Sequence, residues 1–207
     1  MKKYLSLGCG VDSICLMLWL LDQEEEFESV FVDHGADYPE TYIYLDYLIK
    51  KGFKITIIKP KEQLIKHCEE NKIIPMRGRN WCTDKFKLRP LKEYFQVPCI
   101  CFVGIGYYES KRSKKHSPVK KGVFNAYPLI SLGMNRQKSI DFIKSHGLKE
   151  PPPSQCYICF NAKKRELRDL SNNYPKLYRK RIELENNAKI KLNQKNNQKM
   201  TQWSFKK

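Results

Sequence analysis

Near the start of the chain, residues 8–13 read Gly-Cys-Gly-Val-Asp-Ser and lie between a short apolar run and a longer one. Glycines at this spacing allow a tight turn whose backbone N–H groups can approach an anion, and a helix that begins there adds partial positive charge. Asp12 can position a cation or a hydroxyl group, and Ser13 can donate a hydrogen bond. The segment lacks the lysine of the common phosphate loop and the third glycine of the dinucleotide fingerprint. By its spacing alone it indicates either an anion site or tight packing of a strand against a helix.

Three cysteines have the spacing or the setting of metal ligands. Cys156 and Cys159 form Cys-x-x-Cys in a proline-rich turn, and Cys82 lies in the segment Asn-Trp-Cys-Thr. Two cysteines at this spacing can direct both sulfurs toward one metal. A redox dithiol or a chance structural arrangement are the alternatives, although the strand and helix start typical of a thioredoxin-like dithiol are not seen in the pattern. Three other cysteines lie in apolar segments and are predicted to pack in the core: Cys15, Cys99 and Cys101.

Positive charge is the main compositional signal, with a net charge of +17 over 207 residues. Residues 110–121 carry six Lys or Arg and no acid, and the residues from 161 onward carry fourteen Lys or Arg against four Asp or Glu. These runs indicate either solvated surface or a surface that binds polyanions, such as nucleic acid or highly charged nucleotides.

The apolar segments argue against membrane insertion and export. No run reaches 18 apolar residues, so a membrane span is not predicted. Gly8, Gly10 and Asp12 interrupt the apolar run that follows Met-Lys-Lys, so a signal peptide is not predicted either. We therefore expect a cytoplasmic protein with reduced thiols.

Short apolar runs alternate with helical patterns over the first hundred residues. The predicted strands are 4–7, 29–35, 54–60 and 98–106, and the predicted helices between them are 13–21, 39–53 and 61–72. This order predicts an α/β fold with an open, mainly parallel Rossmann-like sheet and helices on both faces. Further helices are predicted at 135–147 and, as an amphipathic pair broken near Pro175, within 163–187.

Three regions follow from this pattern. Residues 1–147 are predicted to form a nucleotide-binding α/β domain. Residues 148–185 are predicted to form a small helical extension, in which the Cys-x-x-Cys turn and basic helices pack on that domain. Residues 186–207 are rich in Asn, Gln and Lys, which indicates a polar tail that is either frayed helix or disordered.

The segment GCGVDS resembles the S-G-G-x-D-S pyrophosphate loop of the adenine nucleotide alpha-hydrolase superfamily, the PP-loop ATP pyrophosphatases. Further segments are similar, in order, to those of its phosphoadenosine phosphosulfate (PAPS) reductase-like family: VFVDHGADYPETYIYLDYL (30–48), RNWCTDKFKLRPL (79–91), VGIGYYESKR (103–112), GMNRQKSIDFIKSHGL (133–148) and SQCYICF (154–160). The resemblance covers residues 4–178. It departs at Gly8, which stands in place of a serine, at Cys9 in place of a glycine, and at Gly106 in place of an arginine.

The resemblance implies that an adenine nucleotide, either ATP or PAPS, binds across the carboxyl ends of the strands. The loop residues that would hold its phosphate or sulfate end are Gly8, Cys9, Gly10, Asp12 and Ser13. Asp33 would lie near the ribose or adenine, and the other implied binding residues are Gly35, Gly104, Glu109 and Arg136. The residues implied in catalysis are Asp12, Ser13, Lys85 and Arg112. The cations that would neutralise charge on the transferring group are Lys85, Lys87, Arg89, Arg112 and Arg136.

The resemblance also implies a [4Fe–4S] cluster held by Cys82, Cys156 and Cys159. Cys68 is the nearest candidate in sequence for a fourth ligand. Otherwise one iron stays open, which in tRNA-thiolating relatives is where a sulfide sits. Zinc with the same ligands is the chief rival.

Two reactions and one non-catalytic function are compatible with the resemblance. In the first, ATP with Mg²⁺ adenylates an acceptor and a sulfur donor then displaces AMP; the basic surface favours an RNA or DNA acceptor. In the second, a thiolate attacks the sulfur of PAPS or adenylyl sulfate and sulfite is released. That route normally uses a cysteine in a C-terminal tail, and no cysteine follows Cys159 in this sequence, so an external thiol reductant would be required. The non-catalytic alternative is a nucleic-acid-binding module. Formation of a homodimer is compatible with each of these functions.

Overall fold

The computed structural model of the chain describes residues 1–76 and 80–196, including side chains except those of residue 115 and residues 190–196. Five parallel strands form one sheet in the order β3-β2-β1-β4-β5. The strands are β1 (Lys2–Leu7), β2 (Glu28–Val32), β3 (Ile55–Ile58), β4 (Cys99–Val103) and β5 (Val123–Ala126). The predicted parallel α/β fold is confirmed. The edge strand β5 was not predicted, because four residues are too few to show an alternating pattern.

The order of the strands creates a crevice beside the central strand. From β1 the chain adds β2 and β3 on one side, and it then crosses to the other side to add β4 and β5. The loops that follow β1 and β4 therefore leave the sheet in different directions, although the two strands pair directly. In open α/β sheets, ligands bind at this type of switch point, outside the carboxyl ends of the strands.

Helices cover both faces of the sheet. They are α1 (Val11–Asp22), α2 (Pro39–Lys50), α3 (Leu64–Asn71), α4 (Trp81–Thr83), α5 (Arg89–Tyr94), α6 (Pro128–Ser131), α7 (Arg136–Ser145), α8 (Lys164–Asn173) and α9 (Pro175–Asn196). A π-helical turn (Asp84–Leu88) joins α4 to α5, and a 3₁₀ segment (Tyr107–Lys115) with a kink at Glu109 follows β4.

Alternate residues of β1 belong to different cores because side chains in a strand alternate between the two faces of the sheet. Leu5 and Leu7 pack in the core beneath α1, α2 and α7, together with Cys15. Tyr4 packs on the other face, in the core that α5 covers. Cys99 and Cys101 are buried in that second core, as the apolar pattern around them predicted.

A third apolar cluster joins the C-terminal helices to the sheet domain. It contains Phe86 of the π-helical turn, Ile158 of the Cys-x-x-Cys turn, Leu170 of α8 and Leu184 of α9. The predicted pair of amphipathic helices is thus present, and the second begins at Pro175, where a first-turn proline is favoured. Helix α9 continues to Asn196, and the rest of the predicted tail lies outside the described residues. Among the described helices, none is both long and apolar enough to cross a membrane.

Candidate functional site

A cavity of about 360 Å³ lies at the carboxyl ends of β1 and β4, at the switch point of the sheet. The predicted site residues that line it are Gly8, Gly10, Asp12, Ser13, Gly104, Glu109, Arg112 and Arg136. These residues come from three separate segments of the sequence, 8–13, 104–112 and 136. They meet because the carboxyl ends of parallel strands lie at the same edge of a sheet.

The glycine turn presents backbone donors to this cavity. Helix α1 begins at Val11, and the N–H of Ile14 donates to the carbonyl oxygen of Gly10 at 3.0 Å. The N–H groups of residues 11–13 therefore have no acceptor within the helix. The hydroxyl of Ser13 fixes the turn, since it donates to the Gly10 carbonyl at 3.0 Å and accepts from the Gly8 N–H at 3.3 Å. Free N–H groups at a helix start bind anions such as phosphate or sulfate.

Strand β4 approaches the glycine turn so closely that only glycine fits at its end. A Cβ atom on Gly104 would lie 2.7 Å from both the backbone nitrogen and the Cα of Ser13. Contacts of that length with backbone atoms force the strand and the helix apart. Gly104 thus holds the end of β4 against the start of α1, and this contact closes one side of the cavity.

Cys9 contributes its backbone, and not its thiol, to the turn. Its side chain is fully buried in the core beneath α1, and burial, together with the charge of Asp37, raises the pKa of its thiol to about 12. Its φ of 54° is the left-handed conformation that glycine adopts most easily. The loop therefore keeps the glycine-like backbone at a position where the resemblance has glycine, and it uses the cysteine side chain for packing.

Tyr108 links the two charged sides of the cavity. Its hydroxyl donates to Asp12 Oδ2 at 2.8 Å and accepts a hydrogen bond from Arg136. Burial and the bond to Asp12 raise the pKa of Tyr108 to about 12, so the phenol remains a neutral donor at physiological pH. A Cβ on Gly106 would lie 2.5 Å from the Tyr108 ring, so this ring fills the space beside Gly106. Sequence patterns did not assign Tyr108 to the site.

Two lysines that are two positions apart have different environments. Lys87 lines the cavity. Lys85, the predicted catalytic lysine, does not; its Nζ lies 2.9 Å from Glu62 Oε2 and 3.0 Å from Nδ1 of His67. Residues i and i+2 of a helical turn do not share a face, which explains the difference. Helical periodicity predicts that the two lysines lie on different faces of this segment. It does not predict which face lines the cavity.

Asp37 is a lining residue that the sequence did not identify. Its Oδ1 lies 3.3 Å from Nε2 of the buried His34. Burial alone would raise the pKa of Asp37, but the His34 contact and the charge of Lys87 outweigh burial and lower it. Asp37 therefore stays ionised beside Lys87. The available signal was an acid just before a helix that begins with proline.

The predicted residues Asp33 and Gly35 form the turn that ends β2 and do not line the described cavity. Asp33 Oδ1 accepts hydrogen bonds from the Gly35 N–H and the Tyr42 hydroxyl, both at 3.0 Å. Gly35 has a φ of 76°, and a Cβ there would lie 2.1 Å from Gln63 Oε1. Both residues thus have a structural function in this turn.

A proline-rich segment closes the cavity from the C-terminal side. Pro152, Pro153 and Ser154 line it, and the Ser154 hydroxyl donates to the carbonyl oxygen of Gly8. The chain then forms an antiparallel bridge between Cys156 and Asp37. The cysteine turn is therefore joined directly to a cavity wall.

The four predicted metal-ligand cysteines lie in or around the third apolar cluster. The Cys156 thiol donates a hydrogen bond to the Cys159 sulfur, which raises the pKa of Cys156 and lowers that of Cys159. The N–H of Asn161 and the charges of Arg181 and Lys87 lower the Cys159 pKa further. Burial raises the pKa of Cys82, and the nearby Cys159 adds to that effect.

Cys68 is the most enclosed of the four, and burial raises the pKa of its thiol to about 12, with the neighbouring Cys82 adding to the effect. Thiolate sulfur is the donor that zinc and iron–sulfur clusters prefer, so the donor set fits such a centre chemically. Within residues 1–76 and 80–196, however, no three His, Cys, Asp or Glu side chains are grouped as ligands of one metal ion.

The fold and the site together define a parallel α/β domain with an anion-binding type of glycine turn at its switch point. The chain belongs to the phosphoadenosine phosphosulfate reductase domain family, whose sequence model matches residues 2–152. This confirms the family resemblance carried by the motifs.

The chain is also similar to a solved structure, which has the same fold, and to two curated proteins. The structure of PAPS reductase from Candida auris in complex with phosphate superposes with a TM-score of 0.53 at 14% identity, over 73% of this chain and 75% of that one. Uncharacterized protein MJ0066 of Methanocaldococcus jannaschii is 26% identical over 83% of this chain and 38% of its own length. Uncharacterized protein MJ0973 of the same organism is 24% identical over 86% of this chain and 46% of its own length. The chain thus spans less than half the length of these curated relatives.

Proposed function

We propose that the cavity binds the phosphate- or sulfate-bearing end of an adenine nucleotide, and that the domain uses ATP for sulfur transfer or a related adenylation. The observation that carries this proposal is the glycine turn, whose free N–H groups lie at the switch point of the sheet. Lys87, Arg112 and Arg136 line the same cavity, together with the carboxylates of Asp12, Asp37 and Glu109. Arg112 is paired with Glu109, so Lys87 and Arg136 are the cations that this ion pair leaves for the anion. Family membership supports an adenine nucleotide as the source of the anion.

In the proposed reaction, an oxygen of the acceptor attacks the α-phosphorus of ATP and the bond to pyrophosphate breaks. Sulfur from a donor then displaces AMP from the activated acceptor. The backbone of the turn and Ser13 would hold the phosphates in place. The lysine and arginine side chains of the cavity would stabilise the negative charge that moves to the leaving pyrophosphate, and such placed charges are usually the largest catalytic term.

Asp12 and Asp37 fit the requirement for Mg²⁺ in this reaction. Oδ1 of Asp12 is buried and has no hydrogen-bond partner among the described residues. Oδ1 of Asp37 is also buried, and its charged neighbour is Nε2 of His34 at 3.3 Å. Mg²⁺ in nucleotide sites is held by one or two carboxylates together with phosphate oxygens and water. Either carboxylate could supply such a ligand, and the bound ion would shield the charge of the pyrophosphate.

We further propose that Cys82, Cys156 and Cys159, with Cys68 or an open position as the fourth, hold a [4Fe–4S] cluster. The shared apolar cluster, the hydrogen-bonded Cys156–Cys159 pair and the cations near Cys159 support this assignment. When bound, a cluster with an open iron would supply a coordination position for sulfide. Zinc with the same ligands remains the competing occupant.

A second groove with more cations than acids in its lining supports a nucleic acid acceptor. The groove has a volume of about 960 Å³, and its charged lining residues are Arg89, Lys92 and Lys120 together with Asp84 and Glu93. Arg89 is paired with Asp84 at 2.9 Å, whereas Lys92 has no ion-pair partner in the described part of the chain. The basic run 110–121 borders the groove and supplies further charge for a phosphodiester backbone.

The nucleotide assignment is tested by calorimetric titration with ATP, PAPS and adenylyl sulfate, in the presence and absence of Mg²⁺. We expect ATP to bind in a Mg²⁺-dependent manner and no sulfite to appear when labelled PAPS is incubated with the protein and thioredoxin. Release of sulfite would favour reductive cleavage instead. Nucleic acid binding without any nucleotide binding would indicate the non-catalytic module.

The metal assignment is tested by anaerobic purification followed by iron, zinc and sulfide analysis and an absorption spectrum. Iron and sulfide in equal amounts, with a broad visible band, are expected. Zinc without iron contradicts the cluster and identifies a zinc centre.

The acceptor assignment is tested by fluorescence anisotropy with single-stranded RNA and DNA over a range of salt concentrations. We expect Lys92→Glu to weaken binding by about 10-fold and to reduce the salt slope. Lys50→Glu is the matched control, because Lys50 is exposed on α2 and paired with Asp46. Equal effects of the two substitutions would place the nucleic acid elsewhere.

A further inference from the structure

Helix α9 contributes a buried arginine to the cysteine turn. Arg181 is 4% exposed, and its Nε donates to Oε1 of Glu185, one turn further along the same helix, at 2.9 Å. Glu185 is also buried. A buried guanidinium is costly to desolvate unless its donors are satisfied, so its partners indicate why it is there.

The remaining partners of Arg181 are main-chain atoms of the Cys-x-x-Cys turn. Its Nη1 donates to the carbonyl oxygen of Tyr157 at 3.0 Å and to that of Cys159 at 3.1 Å. A planar guanidinium can bond two acceptors at fixed relative positions, which a lysine ammonium does not do. The arginine thus sets the spacing of two carbonyl groups within one short turn.

The other side of the turn is held by the sheet domain. The Tyr157 N–H donates to the carbonyl oxygen of Ala36 at 2.9 Å, and the Cys159 N–H donates to that of Cys156 at 3.0 Å. The side chains of Tyr157 and Ile158 are buried in the third apolar cluster. Arg181 therefore adds hydrogen bonds to the apolar contacts between α9 and the turn that carries both thiols.

We propose that Arg181, held by Glu185, is the positioning residue that preorganises Cys156 and Cys159 as thiolate ligands of a metal centre. This inference rests on the metal centre of the proposed function and adds α9 to it. Two fixed carbonyl groups fix the backbone between the thiols, so the sulfurs lose little freedom when they bind metal. The guanidinium also places positive charge beside the negative charge of a metal–thiolate group.

The experiment uses Zn²⁺ alone as the probe and the reduced, metal-free full chain. The double variant Arg181→Met/Glu185→Met removes both buried charges, which avoids leaving one unpaired. We expect the double variant to release Zn²⁺ to a chelator about 10- to 100-fold faster than the wild type, as for other groups that orient metal ligands. Arg179→Met is the matched control, because Arg179 is exposed on the same helix. The control should release Zn²⁺ at the wild-type rate.

A spectroscopic readout separates positioning from loss of fold. With Co²⁺ in place of Zn²⁺, Arg181→Lys should fold as the wild type does by circular dichroism but give weaker sulfur-to-cobalt charge-transfer bands. Metal release and cobalt spectra that are unchanged in the folded variants would overturn the proposal.

A wild type that binds no metal would contradict the proposed metal centre, and the positioning would then be read from the backbone of the turn. Amide hydrogen exchange at Tyr157 and Cys159 should be slower in the wild type than in Arg181→Lys, because both residues lie in the turn whose carbonyl groups the arginine holds. Equal exchange rates in the two proteins would overturn the assignment of Arg181 as well.

Discussion

The glycine-turn cavity and the cysteine cluster are built in opposite ways. In the cavity, one short segment at the end of β1 supplies backbone N–H groups, and other strands bring side chains to it. In the cluster, the donors are side chains that come from α3, α4 and the proline-rich turn. A site built from backbone N–H groups can therefore be recognised from a local motif. A site built from side chains of several elements depends on how distant segments pack.

The two regions are connected by Lys87 and Asp37. Lys87 lines the cavity, and its charge lowers the pKa values of both Asp37 and Cys159. Asp37 lines the same cavity, and its backbone pairs with Cys156. An anion bound in the cavity would therefore share a cation with the cysteine turn.

Cys159→Ser is expected to give the largest difference between its effect on metal binding and its effect on ATP binding. This substitution should abolish metal binding, because a hydroxyl is a poor ligand for zinc or iron, and leave ATP affinity within about 3-fold. Metal analysis and calorimetry on the same preparation measure both. Cys101→Ser, in the core beneath α5, is the control and should retain the metal. Loss of ATP binding in Cys159→Ser would show that the regions are one site.

Gly104→Ala should produce the converse effect. The added Cβ would meet the Ser13 backbone at 2.7 Å, so the turn must move, and we expect ATP affinity to fall about 100-fold with a loss of about 1–3 kcal/mol in stability. Metal content should remain unchanged. Gly8→Ala is the comparison within the turn, since its Cβ would meet Ser154 Oγ at an ordinary 3.5 Å. Equal losses in the two variants would refute the steric explanation.

Lys87→Met tests the connection between the regions. Removing this cation should weaken ATP binding by about 10-fold and also slow alkylation of Cys159, which would lose part of its thiolate character. Lys85→Met should change neither quantity, because Lys85 is paired with Glu62 outside the cavity. The two variants remove the same charge two residues apart, so a similar result for both would leave the cavity assignment of Lys87 without support.

The smallest expected effect is that of Asp37→Asn on the loss of stability at acidic pH. Its folded pKa is below the ordinary value of 3.8, so the ionised form stabilises the fold above that pH, and the contribution disappears as pH falls through the folded pKa. The unfolding free energy of the wild type should therefore fall more than that of Asp37→Asn between pH 7 and about pH 3. Urea titrations at both pH values measure the difference. Parallel losses would show that His34 and Lys87 do not stabilise the Asp37 carboxylate.

Most of the sheet domain was predictable because local patterns determine it. Apolar runs of strand length alternate with amphipathic helices, and the parallel sheet follows from that order. The short edge strand β5 was missed, because its pairing depends on β4 and not on its own four residues. The glycine turn and Gly104 were predicted from their motifs, and the structure places them together because the two strands are neighbours.

The side chains of the site were less predictable. Lys85 and Lys87 are equivalent by residue type, and only the packing of the π-helical turn shows which one lines the cavity. Tyr108 reaches the cavity from the 3₁₀ segment that follows β4, at a position that no sequence pattern marks. Asp37 reaches it from the turn before α2, where the proline that begins the helix was the available signal. Arg181 resembles any other basic residue of an amphipathic helix until the cysteine turn is seen to accept its hydrogen bonds.

The sequence by itself determined the parallel α/β domain, the glycine turn at the start of its first helix and the cysteines whose chemistry led to the metal hypothesis. Strand and helix periodicity, glycine conformation and thiol chemistry act over a few residues, and a few residues suffice to recognise them. Only the tertiary structure decided which cations face the cavity, that Asp37 and Lys87 join it to the cysteine turn, and that α9 holds that turn through Arg181. Those choices depend on contacts between segments far apart in the chain, and such contacts exist only once the chain has packed.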